Sequence, residues 1–288
     1  THWRTNRAKG YLSPVEFAKT RPRPVSEMII RDSNALIREY GNIKLINLDK
    51  SSGSASRPRN IGIQNASAPL ITFLDPDNEI SCGGYDNLLP VWEEVSNLNK
   101  KLNILSGYNM KITDKVNSVA KHTEEKYVIV TDARDRYFNK GKFPTIATQA
   151  AIIKKSFLID NNITFIEKSA GQDTLFGWEL LLKSEEVVFT NTAHLIYYAQ
   201  REDSITNQID ETYFDKKLIL EKEQIKLLKE FNLLDIYKKC QFDYFLHNWY
   251  LKKLNTIIGI KEKENATSKL KVICNMYGVD LKLGENNE

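Results

Sequence analysis

The chain has 288 residues, with 41% hydrophobic and 10% aromatic side chains, enough for one large domain with an appendage and an ordinary buried core. No apolar run approaches the roughly 18 residues needed to cross a bilayer, and nothing near residue 1 has the apolar stretch of a secretory signal. The net charge of +4 is local: residues 1–31 hold seven Lys/Arg against two acids, whereas the other 257 residues hold 34 basic and 35 acidic groups. Nucleic-acid binding would therefore rest on the amino-terminal segment alone. The three cysteines, Cys82, Cys240 and Cys274, are widely spaced and fit neither a disulfide framework nor a metal site, so a reduced, cytoplasmic protein is expected.

Residues 1–30 are basic and rich in Pro and Arg, without sustained periodicity. Ser33 to Tyr40 is a short helix candidate capped by Ser33. Ile43 to Leu48 alternates enough for a strand. Ser51 to Ser56 is a small-residue loop opening a helix through Asn60, Ile61, Ile63 and Ala66. Leu70 to Leu74 is an apolar, partly β-branched run read as a buried strand, and Asp75-Pro76-Asp77 follows directly. Strand, loop, helix and strand in this order predict an α/β layer with parallel strands. Leu102 to Met110 and Lys126 to Val130 read as strands, and Ile146 to Phe157 as strand running into helix. Gly171 to Lys183 has Leu175, Trp178, Leu181 and Leu182 at helical spacing, with Trp178 expected in the core. Val187–Thr190 and Leu195–Tyr198 read as two short strands. From residue 209 the texture becomes Lys/Glu/Leu-rich and helical, with a solvated break expected at Lys261 to Asn265. Within it, Phe242, Tyr244, Phe245, Trp249 and Tyr250 are read as helix packing, with a peripheral membrane or partner-protein face as the alternative. Asn65 and Asn265 begin chance matches to a glycosylation acceptor pattern.

Asp75 and Asp77 are the most informative pair. Carboxylates at the end of a buried strand occupy the crevice where open α/β sheets bind ligands, and hard oxygen donors there suit Mg²⁺ or Mn²⁺ on a diphosphate. Asp, Pro and Asn also make ordinary turns, and the pair alone does not separate the two readings.

Four segments fall in order: Ser56-Arg57-Pro58-Arg59-Asn60-Ile61-Gly62-Ile63, Asp75-Pro76-Asp77, Gly171-Gln172-Asp173-Thr174-Leu175-Phe176, and Tyr197 to Thr206 with Gln200 and Arg201. This arrangement resembles the family 2 glycosyltransferases of the GT-A fold over about residues 33–207. The resemblance implies a GT-A-like (Rossmann-like) mixed sheet flanked by helices at 31–208, incomplete at its amino end, and a helical region at 209–288. It also implies a nucleotide-sugar donor, a UDP-sugar first among them, and a glycan or glycoprotein acceptor. Asp77 would hold Mn²⁺ or Mg²⁺, with Asp75 beside it and toward the ribose, and Asp173 would be the general base. Arg57 and Asn60 would lie beside the nucleotide, and Gln200 and Arg201 would contact the diphosphate. On residue type alone, Asp173 is equally a helix N-cap and Arg201 a partner for Glu202 or Asp203. His194 is a third metal ligand in one reading and a structural histidine in the other.

The family's first two strands, which end in a Pro-x-Tyr-Asn-like loop and in Asp-Asp-Gly-Ser, have no counterpart before Ser33. Thr1 to Phe17 instead resembles the tail of an integrase-type insertion-sequence transposase, through Gly10-Tyr11-Leu12-Ser13-Pro14-Val15-Glu16-Phe17. A truncated glycosyltransferase frame behind such a tail is the expectation, with impaired activity as one consequence and a non-catalytic binding subunit as the alternative.

Overall fold

The computed structural model describes residues 43–281 apart from 76–77, 82, 100, 113–117, 122 and 199–210. The readings placed on residues 1–42, on Asp77, Cys82 and His122, and on Gln200 and Arg201 lie outside the described residues.

The first regular element is α1 (Ser56–Asn65), followed by β1 (Leu70–Ile71), β2 (Glu79–Ile80) and α2 (Gly84–Leu98). Then come β3 (Ile104–Ile112), β4 (Ser118–Ala120), β5 (Tyr127–Thr131), the single turn α3 (Ala133–Arg136), β6 (Ala151–Lys154), α4 (Lys155–Asp160), α5 (Gln172–Lys183) and β7 (Glu186–Tyr198). The strands form one sheet in the order β1-β6-β3-β7-β2, with β4 beside β3 and β5 beside β7.

Three sequence expectations change here. Among the described residues only β3 and β7 pair in parallel; the other ladders are antiparallel, so the sheet is mixed. Among the described residues, 43–48 pair in no ladder, and Ile43, Leu45 and Ile46 are each 38% exposed: alternation alone does not make a strand. The two strands expected at 187–190 and 195–198 are one, because β3 runs alongside the whole of β7 and absorbs the irregularity in register shifts around Tyr108.

Both faces of the sheet are covered, and the strand residues alternate between two cores with the period of two that the pleat imposes. Ile104, Ile153, Val187 and Phe189 pack against α5 and the carboxy-terminal helices. Leu105, Ile152 and Val188 face Leu88, Val91, Trp92 and Val95 of α2.

The carboxy-terminal region consists of α6 (Glu211–Glu230), α7 (234–255) and α8 (Ile260–Met276). In α7, π-helical turns at Lys238–Phe242 and Leu246–Tyr250 alternate with α-helical turns. The cause is a four-residue apolar repeat, Phe242, Leu246, Tyr250 and Leu254, all buried. On a regular α-helix each step of four drifts by about 40° around the axis; the wider π turns cancel that drift and keep the row on one face. The same geometry divides the aromatic cluster. Phe242 and Tyr250 enter the core, while Tyr244 and Trp249 stay exposed.

The solvated break expected at Lys261 to Asn265 is instead the first turns of α8. Lys and Glu are good helix formers, and their segment leads into the buried row Ala266, Leu270, Ile273 and Cys274. Trp178 is core as expected, edge-on to Phe138 and Tyr237. Cys240 and Cys274 are free thiols. No helix among the described residues is long and apolar enough to cross a membrane.

Candidate active site

Three charged side chains from distant parts of the chain meet at one cavity of about 500 Å³. Arg59 comes from the middle of α1, Asp75 from the segment after β1, and Asp173 from the first turn of α5. Packing beneath them explains the convergence. Phe165 and Phe176 stack with centroids 3.9 Å apart, and Phe73 meets both edge-on, at 5.3 and 5.9 Å. Phe73 is thereby locked into the core two residues before Asp75, and Phe176 three residues after Asp173. The shared aromatic anchor brings the two carboxylates to the same edge of the fold.

Arg59 occupies the space between them. Its guanidinium lies 5.0 Å from the Phe165 ring centroid, and the side chain is only 8% exposed. One terminal nitrogen, Nη2, donates to both oxygens of Asp75 at 2.9 and 3.0 Å, and the other, Nη1, donates to Oδ1 of Asp173. A planar fork can serve two carboxylates in this way where an ammonium cannot. Burial disfavours the Arg59 charge, but the fields of Asp173 and Asp75 outweigh it and raise its pKa further.

Gln149 completes the arrangement from the other side. Its Oε1 accepts from the Asp75 backbone N–H (2.7 Å) and from Asn78 Nδ2 (3.1 Å), and its Nε2 donates to Asp75 Oδ2 (2.8 Å). One amide thus holds the acidic turn by its backbone and by its side chain. Sequence reasoning missed both Arg59 and Gln149. Arg59 was legible as the Arg that directly precedes Asn60, but nothing in the residues around Gln149 marks it.

Asp173 is not the N-cap of α5. Gly171 holds that position with φ +91°, and Asp173 stands two residues further on, turned toward Arg59. Half of its side chain reaches solvent. The surrounding pocket wall nevertheless raises its pKa by desolvation; Arg59 opposes this and the nearby Asp75 charge reinforces it. A carboxylate that is partly open to the cavity and titrates above its ordinary range has the properties of a general base.

The remaining predicted residues lie elsewhere. Arg57 pairs with Asp49 at 2.8 Å on the exposed start of α1: two residues of helix place it roughly 200° around the axis from Arg59. Asn60 is spent on the backbone of Phe165, donating to its carbonyl and accepting from its N–H, both at 2.9 Å. It ties α1 to the segment before α5 and does not line the cavity. His194 is fully buried on β7 with its ring 4.7 Å from that of Tyr85, and neither ring nitrogen has a hydrogen-bond partner among the described residues. Burial depresses its pKa to about 4. It too is absent from the cavity lining.

A divalent cation would need more than these residues. Asp75 is the carboxylate of the acidic turn that is among the described residues, and Arg59 and Gln149 already engage both of its oxygens. Among the described residues no cluster of three His, Cys, Asp or Glu side chains could hold a metal ion.

The carboxy-terminal region also lines the cavity. Thr212, Tyr213, Lys216 and Lys217 of α6 and Trp249 of α7 join Gly53, Ser54 and Ala55 in the loop before α1. Trp249 Nε1 donates to the Tyr213 hydroxyl at 2.6 Å, fixing the indole at the rim.

No protein-family model matches the sequence, and no curated protein matches it. Solved structures do resemble the fold. The S. aureus TarS fragment 1–349 in complex with UDP-GlcNAc superposes with a TM-score of 0.62 at 16% identity, over 85% of this chain and 68% of that one. A second structure of the same fragment gives 0.60 at 16% identity, over 86% and 68%. The structure of TarS gives 0.58 at 16% identity over 84% of this chain, which spans 40% of that longer one. The curled mixed sheet flanked by helices, with its helical carboxy-terminal region, is a GT-A-like glycosyltransferase fold.

Proposed function

We propose that this chain transfers a sugar from a nucleotide-sugar donor, a UDP-sugar first among them, to a hydroxyl of a glycan or glycoprotein acceptor. The observation that carries the reading is the Asp75–Arg59–Asp173 row on one cavity of a GT-A-like fold. The UDP-GlcNAc held by the TarS fragment supports the donor class.

In this reading Asp173 accepts the proton of the acceptor hydroxyl as that oxygen attacks the anomeric carbon and the bond to the diphosphate oxygen breaks. Desolvation makes Asp173 a better base than a solvated carboxylate, and Arg59 holds it in place before the acceptor arrives. Asp75, oriented by Gln149 and Arg59, faces the ribose side of the donor. Gln200 and Arg201 contact the diphosphate. Asp77, with Asp75 beside it, is the proposed ligand of Mn²⁺ or Mg²⁺, an ion that would neutralise charge on the departing diphosphate.

The test is a thermal-shift titration of the purified chain with UDP, with and without Mn²⁺. UDP is expected to raise Tm only when metal is present, and Asp77→Asn to abolish the shift. No shift with any nucleoside diphosphate would sink the enzyme reading and leave a non-catalytic binding protein.

A further inference from the structure

The cavity lining carries two kinds of charge. Asp75, Arg59 and Asp173 form one row, and α6 contributes Lys216 and Lys217. Lys217 is the unusual one. It lines the cavity yet is only 8% exposed, and among the described residues its ammonium has no hydrogen bond and no ion pair. Its neighbours are the faces of Tyr213 and Tyr250, with Nζ 6.0 and 5.8 Å from their centroids. The nearest acid on α6, Glu221, is one turn away and already accepts from the Tyr250 and Tyr277 hydroxyls and from Gln224. Burial lowers the Lys217 pKa, and Glu221 only partly offsets this.

The Lys217 ammonium also abuts the amino end of α5. A Cβ placed on Gly171 would stand 2.8 Å from Nζ. Gly171 is the N-cap of that 12-residue helix and has no side chain with which to satisfy the first-turn amides. A buried cation beside a helix amino end without a side-chain cap brings positive potential from two sources, with the Asp173 carboxylate of the same first turn bound to Arg59, and an anion from outside would satisfy both. The faces of Tyr213 and Tyr250 hold the ammonium in position but supply no counter-charge.

We propose that Lys217 and the amino end of α5 form a subsite for a phosphate-type anion, with Lys216 adding charge nearby. The subsite itself does not depend on the glycosyltransferase reading. The identity of its occupant does: either the diphosphate of the donor or a phosphate carried by the acceptor.

Inorganic phosphate, UDP and uridine are the probes, titrated calorimetrically into the full chain and into Lys217→Met and Lys217→Arg. Phosphate is expected to bind the unmodified chain, at least tenfold more weakly to Lys217→Met, and with intermediate affinity to Lys217→Arg. Equal phosphate affinity in the unmodified chain and Lys217→Met would overturn the proposal. Where Lys217→Met fails to fold, the unmodified chain decides. Phosphate should slow reductive methylation of Lys217, read by mass spectrometry, and no protection overturns the subsite.

The sources separate cleanly. Loss of UDP affinity in Lys217→Met with uridine binding unchanged assigns the subsite to the donor. Unchanged UDP affinity, with weakened phosphate binding to the UDP-saturated chain, assigns it to the acceptor. Lys217-dependent phosphate binding without any binding of UDP would retain the subsite and remove the donor reading. Normal UDP binding with no phosphate binding and no protection would do the reverse.

Discussion

Arg59 and Asp173 lie 114 positions apart in sequence and are joined through Nη1 and Oδ1, while the other arm of the same guanidinium holds Asp75. One side chain therefore sets the spacing of both acidic groups of the candidate site. Arg59→Met should leave two carboxylates facing each other without a counter-charge. We expect a loss of about 1.5–3 kcal/mol, the range for hydrogen bonds to charged groups; the partial exposure of Asp173 keeps it below that of a fully buried pair. Arg59→Lys should recover only part, because an ammonium cannot fork between two partners. Urea denaturation of the three proteins measures this, and full stability of the Met variant would remove Arg59 as the organising residue.

The pH dependence of turnover should report Asp173. Its pKa is raised, so the base form is lost as pH falls through a midpoint above the ordinary value of about 4. For stability the sign is opposite to that of a salt-bridged carboxylate. A raised folded pKa contributes stability that is present below the unfolded pKa and lost as pH rises through the folded one. Asp173→Asn should abolish turnover and leave UDP affinity intact. Arg59→Met should move the acidic limb of kcat/KM to higher pH. An acidic limb that persists in any residual activity of Asp173→Asn would place the base elsewhere.

Gln149→Ala should loosen the acidic turn, because three hydrogen bonds to Asp75 and Asn78 are lost together. We expect a cost of about 1–3 kcal/mol for the unsatisfied polar groups, together with weaker UDP binding. Calorimetric titration and urea denaturation of the same preparations would separate the two effects. UDP affinity equal to that of the unmodified chain would show that the turn does not need Gln149.

Gly171→Ala should cost about 1–3 kcal/mol from the positive φ alone. The added Cβ would also press on the Lys217 ammonium. Phosphate affinity should fall alongside Tm, and a variant as stable as the unmodified chain would contradict the left-handed conformation at this position.

His194 should make the protein acid-sensitive. Its folded pKa of about 4 lies below the unfolded value near 6.5, so the stability it contributes is present above pH 6.5 and is lost as pH falls toward 4. The linkage amounts to about 3 kcal/mol at most. His194→Phe should flatten the stability profile between pH 6.5 and 4. An unchanged slope would show that the acid sensitivity arises elsewhere.

The sequence by itself determined the layered α/β class, a helix over about 171–183 and the helical carboxy-terminal region. These rest on local periodicity and residue chemistry, which a chain carries at every position, whereas the candidate roles of Asp75 and Asp173 come from the family resemblance. It could not tell Arg57 from Arg59: both are cations on one helix, and only the packing of α1 decides which face meets the acids. Gln149 was invisible for the same reason, since an amide becomes a site residue only when a distant turn is brought against it. Strand pairing behaves likewise. Residues 43–48 have the pattern of a strand but pair in no ladder among the described residues, and β7 is one strand because β3 accompanies it throughout. The cationic wall at Lys217 depends most on tertiary structure, because the cost of burying a charge and the helix end it faces exist only once α5 and α6 are packed together.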